Sequence, residues 1–382
     1  MIKVLSVFGT RPEAIKMAPL VNILQKNQSF DSKVCVTAQH REMLDQVLDI
    51  FDIKPDYDLD IMKERQSLTD ITTNVLKGLE EVIREARPDI VLVHGDTTTT
   101  FVGALASYYN QAQVGHVEAG LRTFNKFFPY PEEMNRKLTG AIADIHFSPT
   151  LNSKNNLIKE GVKENIIYIT GNTVIDALKT TVKKEYEFTN PVLRRIDYSK
   201  RVILVTAHRR ENLGKPLENI CSALKEISHN YKDTEIVYPV HMNPAVRETV
   251  FSMLKNQDRV HLIDPIDVVE MHNLMARCYL VLTDSGGLQE EAPSLGKPVL
   301  VLRRETERPE AIEFGTLKLA GTNRKNIYDL TAMLLDDKKE YEKMANAVNP
   351  YGDGFASERI RDSLLYSFGE KAERPKDFAP TY

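Results

Sequence analysis

The chain has 382 residues, of which 42% are hydrophobic and 27% charged, the balance of a globular protein too long for one ordinary core, so two domains are expected. The net charge is −4 with acids and bases interspersed, which excludes the basic tract that nucleic acid or anionic lipid would need. No apolar run reaches membrane-spanning length, the first residues read as a strand rather than a signal peptide, and Cys35, Cys221 and Cys278 are scattered, so a reducing cytoplasm fits better than a disulfide framework or a zinc site.

Strand and helix signals alternate from end to end. Lys3–Phe8 is an apolar strand, Gly9-Thr10-Arg11-Pro12 a turn, and a helix follows to about Gln25. Lys33–Thr37 is the next strand and Met43–Phe51 a helix. Asp70–Arg87 is a long amphipathic helix with Ile71, Val75, Leu79, Val82 and Ile83 on its apolar face. Asp89–Val93 is a strand ending at His94-Gly95-Asp96, and Thr97–Thr100 open a helix that reaches Tyr109. Gln113–Val117 is a strand ending at Glu118, Pro131–Ala143 a helix, Ile145–Ser148 a strand, Asn152–Glu160 a helix and Asn165–Ile169 a strand. Short apolar strands spaced by helices predict a parallel sheet covered on both faces.

Gly171-Asn172-Thr173 marks a boundary, and the polar segment Lys183–Lys200 reads as a connector. The alternation then restarts with strands at Val202–Thr206, Glu235–Tyr238 and Val260–Ile263 and helices at Leu217–Ser228, Ala245–Leu254 and Val268–Arg277. Tyr279–Leu282 is an apolar run into Thr283-Asp284-Ser285-Gly286-Gly287, after which a helix runs to Leu295 and a strand begins at Val299. Lys318-Leu319 and helices at Ile327–Leu335 and Lys338–Ala345 follow. The expected architecture is α/β, with two Rossmann-like domains: residues 1–170, and residues 171–356 as a nucleotide-binding second domain. The tail, 357–382, is expected to pack back on the first domain.

Ligands in such sheets sit at the carboxyl ends of the strands. In the first half the polar residues there are Arg11 with Lys16, Asp96, and Glu118, followed by Glu132 and Glu133 in the first turn of a helix. Arg11 and Lys16 sit near a helix start, where the dipole disfavours cations, so an anion is expected to meet them. Asp96 reads equally as an ordinary helix cap. Glu118 on an apolar strand end needs a partner. One of Glu132 and Glu133 is expected to be a plain surface acid. If Asp96, Glu118 and Glu132 converge, one must hold a proton, which would supply an acid and a base together.

In the second half the strand-end residues are His208 with Arg209, His241, and the Thr283–Ala292 stretch. A glycine turn ahead of a helix leaves backbone N–H groups aimed at one point, a phosphate cradle, with Glu291 placed for ribose hydroxyls. Locally, a helix cap explains the same residues. Arg303, Arg304 and Arg308 could serve the same anion. There is no Walker sequence, no G-x-G-x-x-G, no G-x-S-x-G and no metal-ligand spacing.

Together Phe8–Pro19, Val93–Thr97, His116–Thr123, Pro131–Arg136, His208–Asn212, Thr283–Ala292 and Glu307–Glu310 resemble the non-hydrolysing UDP-N-acetylglucosamine 2-epimerases of bacteria, in family order and over nearly the whole chain. The resemblance implies the glycosyltransferase-B fold with an interdomain active-site cleft. It implies C2 epimerisation of UDP-N-acetylglucosamine to UDP-N-acetylmannosamine through 2-acetamidoglucal, without a cofactor, supplying cell-wall or capsule precursors. It assigns Asp96, Glu118, Glu132 and His208 to catalysis. Arg11, Ser285, Gly286, Gly287 and Arg308 go to the diphosphate, Glu291 to the ribose, and Lys16 to the sugar side.

It also implies a second, activating molecule of UDP-N-acetylglucosamine at Gln39, Arg65, Glu132, Arg209 and His241. A cytoplasmic homodimer, without nucleic acid or membrane partners, completes the expectation. Two departures stand out: Arg304-Glu305 replace an acid and a threonine, and Phe314 replaces a small residue. A glycosyltransferase, a hydrolysing epimerase and a non-catalytic nucleotide-sugar sensor are the competing readings.

Overall fold

The computed structural model describes residues 1–38, 41–61, 66–306 and 308–380. Its strands are the apolar runs of the sequence; Ile90–His94, for example, is buried at every position. Among the described residues, β1 (Ile2–Phe8), β2 (Phe30–Val36), β3 (Tyr57–Asp58), β4 (Ile90–His94), β5 (Gln113–Val117), β6 (Ile145–Ser148) and β7 (Ile167–Ile169) form one sheet in the order β3-β2-β1-β4-β5-β6-β7. A second sheet joins β8 (Arg201–Thr206), β9 (Thr234–Pro239), β10 (Val260–Ile263), β11 (Leu280–Thr283), β12 (Val299–Val301) and β13 (Leu317–Leu319) in the order β10-β9-β8-β11-β12-β13. The pairings are parallel, with Val4 beside Ile90 and Leu280 beside Ile203. Both sheets therefore reverse strand order, at β1/β4 and at β8/β11, and the loops leaving those strands are where such a sheet receives a ligand.

The chain divides into two compact α/β units of Rossmann type, the pair of units that makes up a glycosyltransferase-B fold. Met1–Lys179 with Tyr351–Ala379 is the first, and Thr180–Pro350 is the body of the second. In the first unit, Leu5, Val7, Val91 and Val93 of the sheet pack against Val75, Leu79 and Val82 of the helix Leu68–Ala86. That helix begins at a reciprocal cap, in which Ser67 accepts from the Asp70 N–H at 3.1 Å and Asp70 accepts from the Ser67 N–H at 2.9 Å. The chain re-enters the first unit at its end. Asp176 accepts from the N–H groups of Ala356 and Ser357 at the start of the helix Ala356–Ser367, at 3.1 and 2.7 Å.

Two features differ from the sequence reading. Residues 183–200, polar enough to read as a connector, are docked on the second unit: the Glu270 carboxylate accepts from the Thr189 N–H, the Thr189 hydroxyl and the Asn190 N–H at 2.6–2.9 Å. Phe188, Leu193 and Ile196 are buried beneath them. Three apolar anchors and one buried acid suffice to fix a segment whose mean composition is polar. The short β3 carries no apolar run and was not legible in the sequence. Among the described residues no helix is long and apolar enough to cross a membrane.

Candidate functional site

The turn after β1 is set by crowding and by one buried acid. A Cβ on Gly9 would lie 2.0 Å from Thr37 Oγ1, so only glycine lets the chain pass. Glu13 then accepts from the N–H groups of Gly9 and Thr10, at 3.1 and 2.8 Å, and from the Thr97 and Thr100 hydroxyls, at 2.7 and 3.2 Å. Burial raises the Glu13 carboxyl, and these donors oppose the rise. The sequence reading missed Glu13, although the Thr10-x-x-Glu13 spacing of a capping box was its signal. The fixed turn starts the helix Arg11–Gln25 with half-buried Arg11 as its first residue and Lys16 in its second turn.

Lys16 forms an ion pair with Glu118. Glu118 is 7% exposed and has φ of 62°, a left-handed conformation that a non-glycine residue keeps only when its surroundings impose it. Asn172 Nδ2 donates to Glu118 Oε2 at 2.7 Å, and His94 Nε2 lies 3.8 Å from the same oxygen. Burial pushes the His94 imidazole down to about 4, so it is neutral at pH 7. A cation and an amide thus compensate a carboxylate that burial would otherwise penalise by several kcal/mol.

Asp96 is not a helix cap. Thr97 caps the helix Thr98–Tyr109, accepting from the Thr100 N–H at 3.2 Å, and Asp96 pairs instead with Arg136. Asn135 Nδ2 holds the Asp96 carbonyl at 2.9 Å. The helix Glu132–Ile142 therefore supplies an arginine and an amide that the sequence reading did not assign. Neither acid at its start is the plain surface residue expected of one of them. Glu133 is buried and accepts from the N–H groups of Thr123 and Phe124, each at 3.0 Å. Glu132 has Oε2 buried with no hydrogen-bond partner among the described residues. Because Asp96 and Glu118 each have their own cation, the like-charge conflict expected of the acids is relieved.

In the second unit, Asp284 at the end of β11 is a hub. It is fully buried, and its Oδ2 accepts from the His208 N–H at 2.7 Å, the Arg209 N–H at 2.8 Å and Asn212 Nδ2 at 2.9 Å. A residue that could have been a helix cap instead shapes the loop after β8. The His208 ring stacks on His241, centroids 5.1 Å apart and planes at 7°. Burial lowers the His208 pKa, against the pull of Asp284, whose Oδ1 is 3.3 Å from Nδ1.

The helix Gly286–Ser294 begins after Ser285, whose side chain makes no cap hydrogen bond, so the first N–H groups keep their donor capacity. The Cβ position of Gly286 lies 3.7 Å from Arg308 Nη2 and 3.9 Å from Arg209 Nη2. Two guanidinium groups therefore stand over a helix N-terminus, the arrangement that receives a phosphate. Buried Arg308 is held by Glu290. A Cβ on Gly287 would lie 3.0 Å from Glu291 Oε1, so this glycine makes room for the Glu291 carboxylate. His272, which the sequence reading did not single out, places Nε2 3.3 Å from Glu291 Oε2.

Arg304 and Glu305, the departure noted in the sequence, are exposed, whereas Arg303 turns inward and donates to Glu211 at 2.8 Å. The substitution thus faces solvent beside an intact Arg308. Phe314 caps the end of the helix Pro309–Glu313, half-buried. Gln39 and Arg65, two of the expected activator contacts, lie outside the described residues, as does Glu307. Arg209 and His241, two others, lie directly against Gly286, assigned to the diphosphate, and His208, assigned to catalysis. The three cysteines are buried and their thiols are pushed up to about 12, so they are inert.

The model of the UDP-N-acetylglucosamine 2-epimerase family matches residues 22–365. The chain is 60% identical over 377 residues to the UDP-N-acetylglucosamine 2-epimerase of Bacillus subtilis, covering 99% of this chain and 98% of that protein. Its structure is similar to that of the UDP-GlcNAc 2-epimerase of Neisseria meningitidis bound to UDP-GlcNAc, at TM-score 0.88 and 51% identity over 96% of this chain and 100% of that one. A UDP co-structure from S. aureus matches at TM-score 0.90 and 50% identity, covering 99% of this chain and 100% of that one.

Proposed function

We propose, for a chain that belongs to the UDP-N-acetylglucosamine 2-epimerase family, that it interconverts UDP-N-acetylglucosamine and UDP-N-acetylmannosamine without hydrolysing either. The observation that carries this reading is the pair of half-sites with complementary chemistry. One is a cationic cradle at a helix N-terminus, and the other is a set of carboxylates at strand ends with individual partners. Arg308, Arg209 and the helix start at Gly286 would hold the diphosphate, with Arg11 as a further cation and Glu291 on the ribose. Lys16, Asp96, Glu118 and Glu132 would address the sugar.

The reaction starts by breaking the C2–H and C1–O bonds. A carboxylate takes the C2 proton, the electron pair forms the C1=C2 bond of 2-acetamidoglucal, and the C1–O pair leaves with UDP. Cations fixed in advance around the diphosphate stabilise the charge that develops there. The same UDP then returns to C1 while an acid delivers a proton to the opposite face of C2. Glu132, whose Oε2 has no hydrogen-bond partner among the described residues, is the carboxylate assigned to the proton transfer, and Glu118, braced by Lys16 and Asn172, holds a fixed direction. His208, kept neutral by burial, can donate to or accept from the departing phosphate.

The reading extends to regulation and assembly. A second UDP-N-acetylglucosamine would act as an activator, contacting the second unit through His241 and through Arg209, which it would share with the diphosphate of the first, and the working protein would be a cytoplasmic homodimer. The test is incubation of the purified protein with UDP-N-acetylglucosamine alone in deuterated water. Expected is deuterium at C2 of both epimers, with no free sugar. Release of N-acetylmannosamine with UDP would replace this reading by a hydrolysing one, and an absence of C2 exchange would remove epimerisation altogether.

A further inference from the structure

Glu291 does not stand alone on its helix. His272, on the helix Val268–Arg277, is 1% exposed, and its Nε2 lies 3.3 Å from Glu291 Oε2. Its other nitrogen, Nδ1, is 2.7 Å from the Thr181 hydroxyl. The next residue, Asn273, anchors the same stretch of chain: Asn273 Nδ2 donates to the Thr181 carbonyl at 2.7 Å, and the Lys183 N–H donates to Asn273 Oδ1 at 3.0 Å. Thr181 is the second residue of the second unit, where the chain has just left the first. A buried imidazole thus connects the chain crossing to a carboxylate of the candidate site.

The contact between Nε2 and a carboxylate oxygen is attractive only when Nε2 carries a hydrogen. Thr181 accommodates both ways of achieving that. Its hydroxyl donates to Nδ1 of a neutral ring, or accepts from Nδ1 of an imidazolium. Either way the Thr181 hydroxyl holds one edge of the ring, and the other edge lies against one oxygen of Glu291. The other, Oε1, is the oxygen that approaches Gly287 at the start of the cradle helix. The side chain is therefore divided between a supporting face and a face turned towards the cradle.

We propose that His272 is the positioning residue of the nucleotide clamp: it fixes the Glu291 carboxylate, and Thr181 fixes His272, so that Glu291 discriminates a ribose by its two vicinal hydroxyls. The proposal rests on the reading of Glu291 as a ribose contact. A carboxylate held at one oxygen presents the other in a constant direction, and the gain lies in preorganisation rather than in a contact between His272 and the ligand. A free carboxylate would spend part of its binding energy on ordering itself.

The test compares the affinities of UDP, 2′-deoxy-UDP and 3′-deoxy-UDP by calorimetry on the full-length protein. Wild type should prefer UDP over either analogue by roughly tenfold or more, the effect of one hydrogen bond to a charged acceptor. Glu291→Gln should erase most of that preference; if it does not, the ribose reading of Glu291 itself fails. His272→Phe should erase the preference while leaving the weaker deoxy-nucleotide affinities unchanged, and His272→Gln, whose amide reaches a similar point, should restore part of it. Thr181→Val, which leaves the ring in place, should reduce the preference several-fold and serves if His272→Phe does not fold. The inference is overturned if Glu291→Gln loses the preference and neither His272→Phe nor Thr181→Val does, or if either weakens all three nucleotides equally.

Discussion

Lys16 is the residue on which the surroundings of Glu118 turn. It is a cation paired with a carboxylate that is 7% exposed, that also accepts from the neutral Asn172 amide, and that has the neutral His94 ring 3.8 Å away. Replacing Lys16 by Met removes the charge and keeps most of the length. Without the cation the buried Glu118 carboxylate loses a charge that compensates it. At pH 7 kcat should fall roughly 10²- to 10⁴-fold, the range for disabling an acid–base group. The measurement is kcat and KM for C2 exchange at pH 7. A variant that keeps kcat with only KM raised would make Lys16 a substrate contact and nothing more. Glu118 was legible as an acid that needed a partner, and the sequence already named Lys16 as a cation out of place. What joined them is a contact across 102 positions of chain, which no local pattern encodes.

At the scale of the element, the strand–turn–helix around β11 was legible, because apolar run, glycine pair and helix are all local signals. Asp284 was not, because its partners come from the loop after β8 and its own position fits a helix cap equally well. The structure makes it the acceptor that folds His208 and Arg209 towards the cradle. Changing it to Asn keeps the size and one carbonyl oxygen for the three donors on Oδ2, but removes the charge that strengthens those hydrogen bonds. The expected loss is on the order of 2–5 kcal/mol of stability in urea denaturation, the range for breaking a buried charged network. UDP affinity should fall by tenfold or more, because the loop carrying Arg209 loses its anchor. Asp284→Asn with wild-type affinity would mean that the loop is held by other contacts and that the hub is dispensable. Asn212, which also donates to Asp284 and to the Leu302 carbonyl at 3.0 Å, is the element that such a result would point to.

For the whole molecule, the buried histidines of the first sheet set a direction for stability against pH. His94, His116 and His146 end or interrupt β4, β5 and β6, and burial holds their rings down to about 4, 3 and 4. An unfolded histidine titrates near 6.5, so below that pH the unfolded chain binds protons that the folded chain refuses. The stabilisation is complete above about pH 6.5 and is lost as pH falls through the window down to about 4 for His94 and His146 and about 3 for His116, by about 1.4 kcal/mol per pH unit for each ring. Glu13 and Asp176 act in the opposite sense, since burial raises their carboxyls and the folded state then takes up protons on acidification. The net slope mixes both, so the informative quantity is a difference between variants. His146→Leu removes one refusing ring from the interior of β6, and Arg122, whose charge adds to the depression there, stays in place. Urea denaturation at pH 7, 6 and 5 should show the variant losing less stability per pH unit than wild type, by about 1.4 kcal/mol at full effect. Parallel curves for the two proteins would mean that His146 takes up its proton in the folded state, and that the acid sensitivity of the sheet resides in His94 and His116.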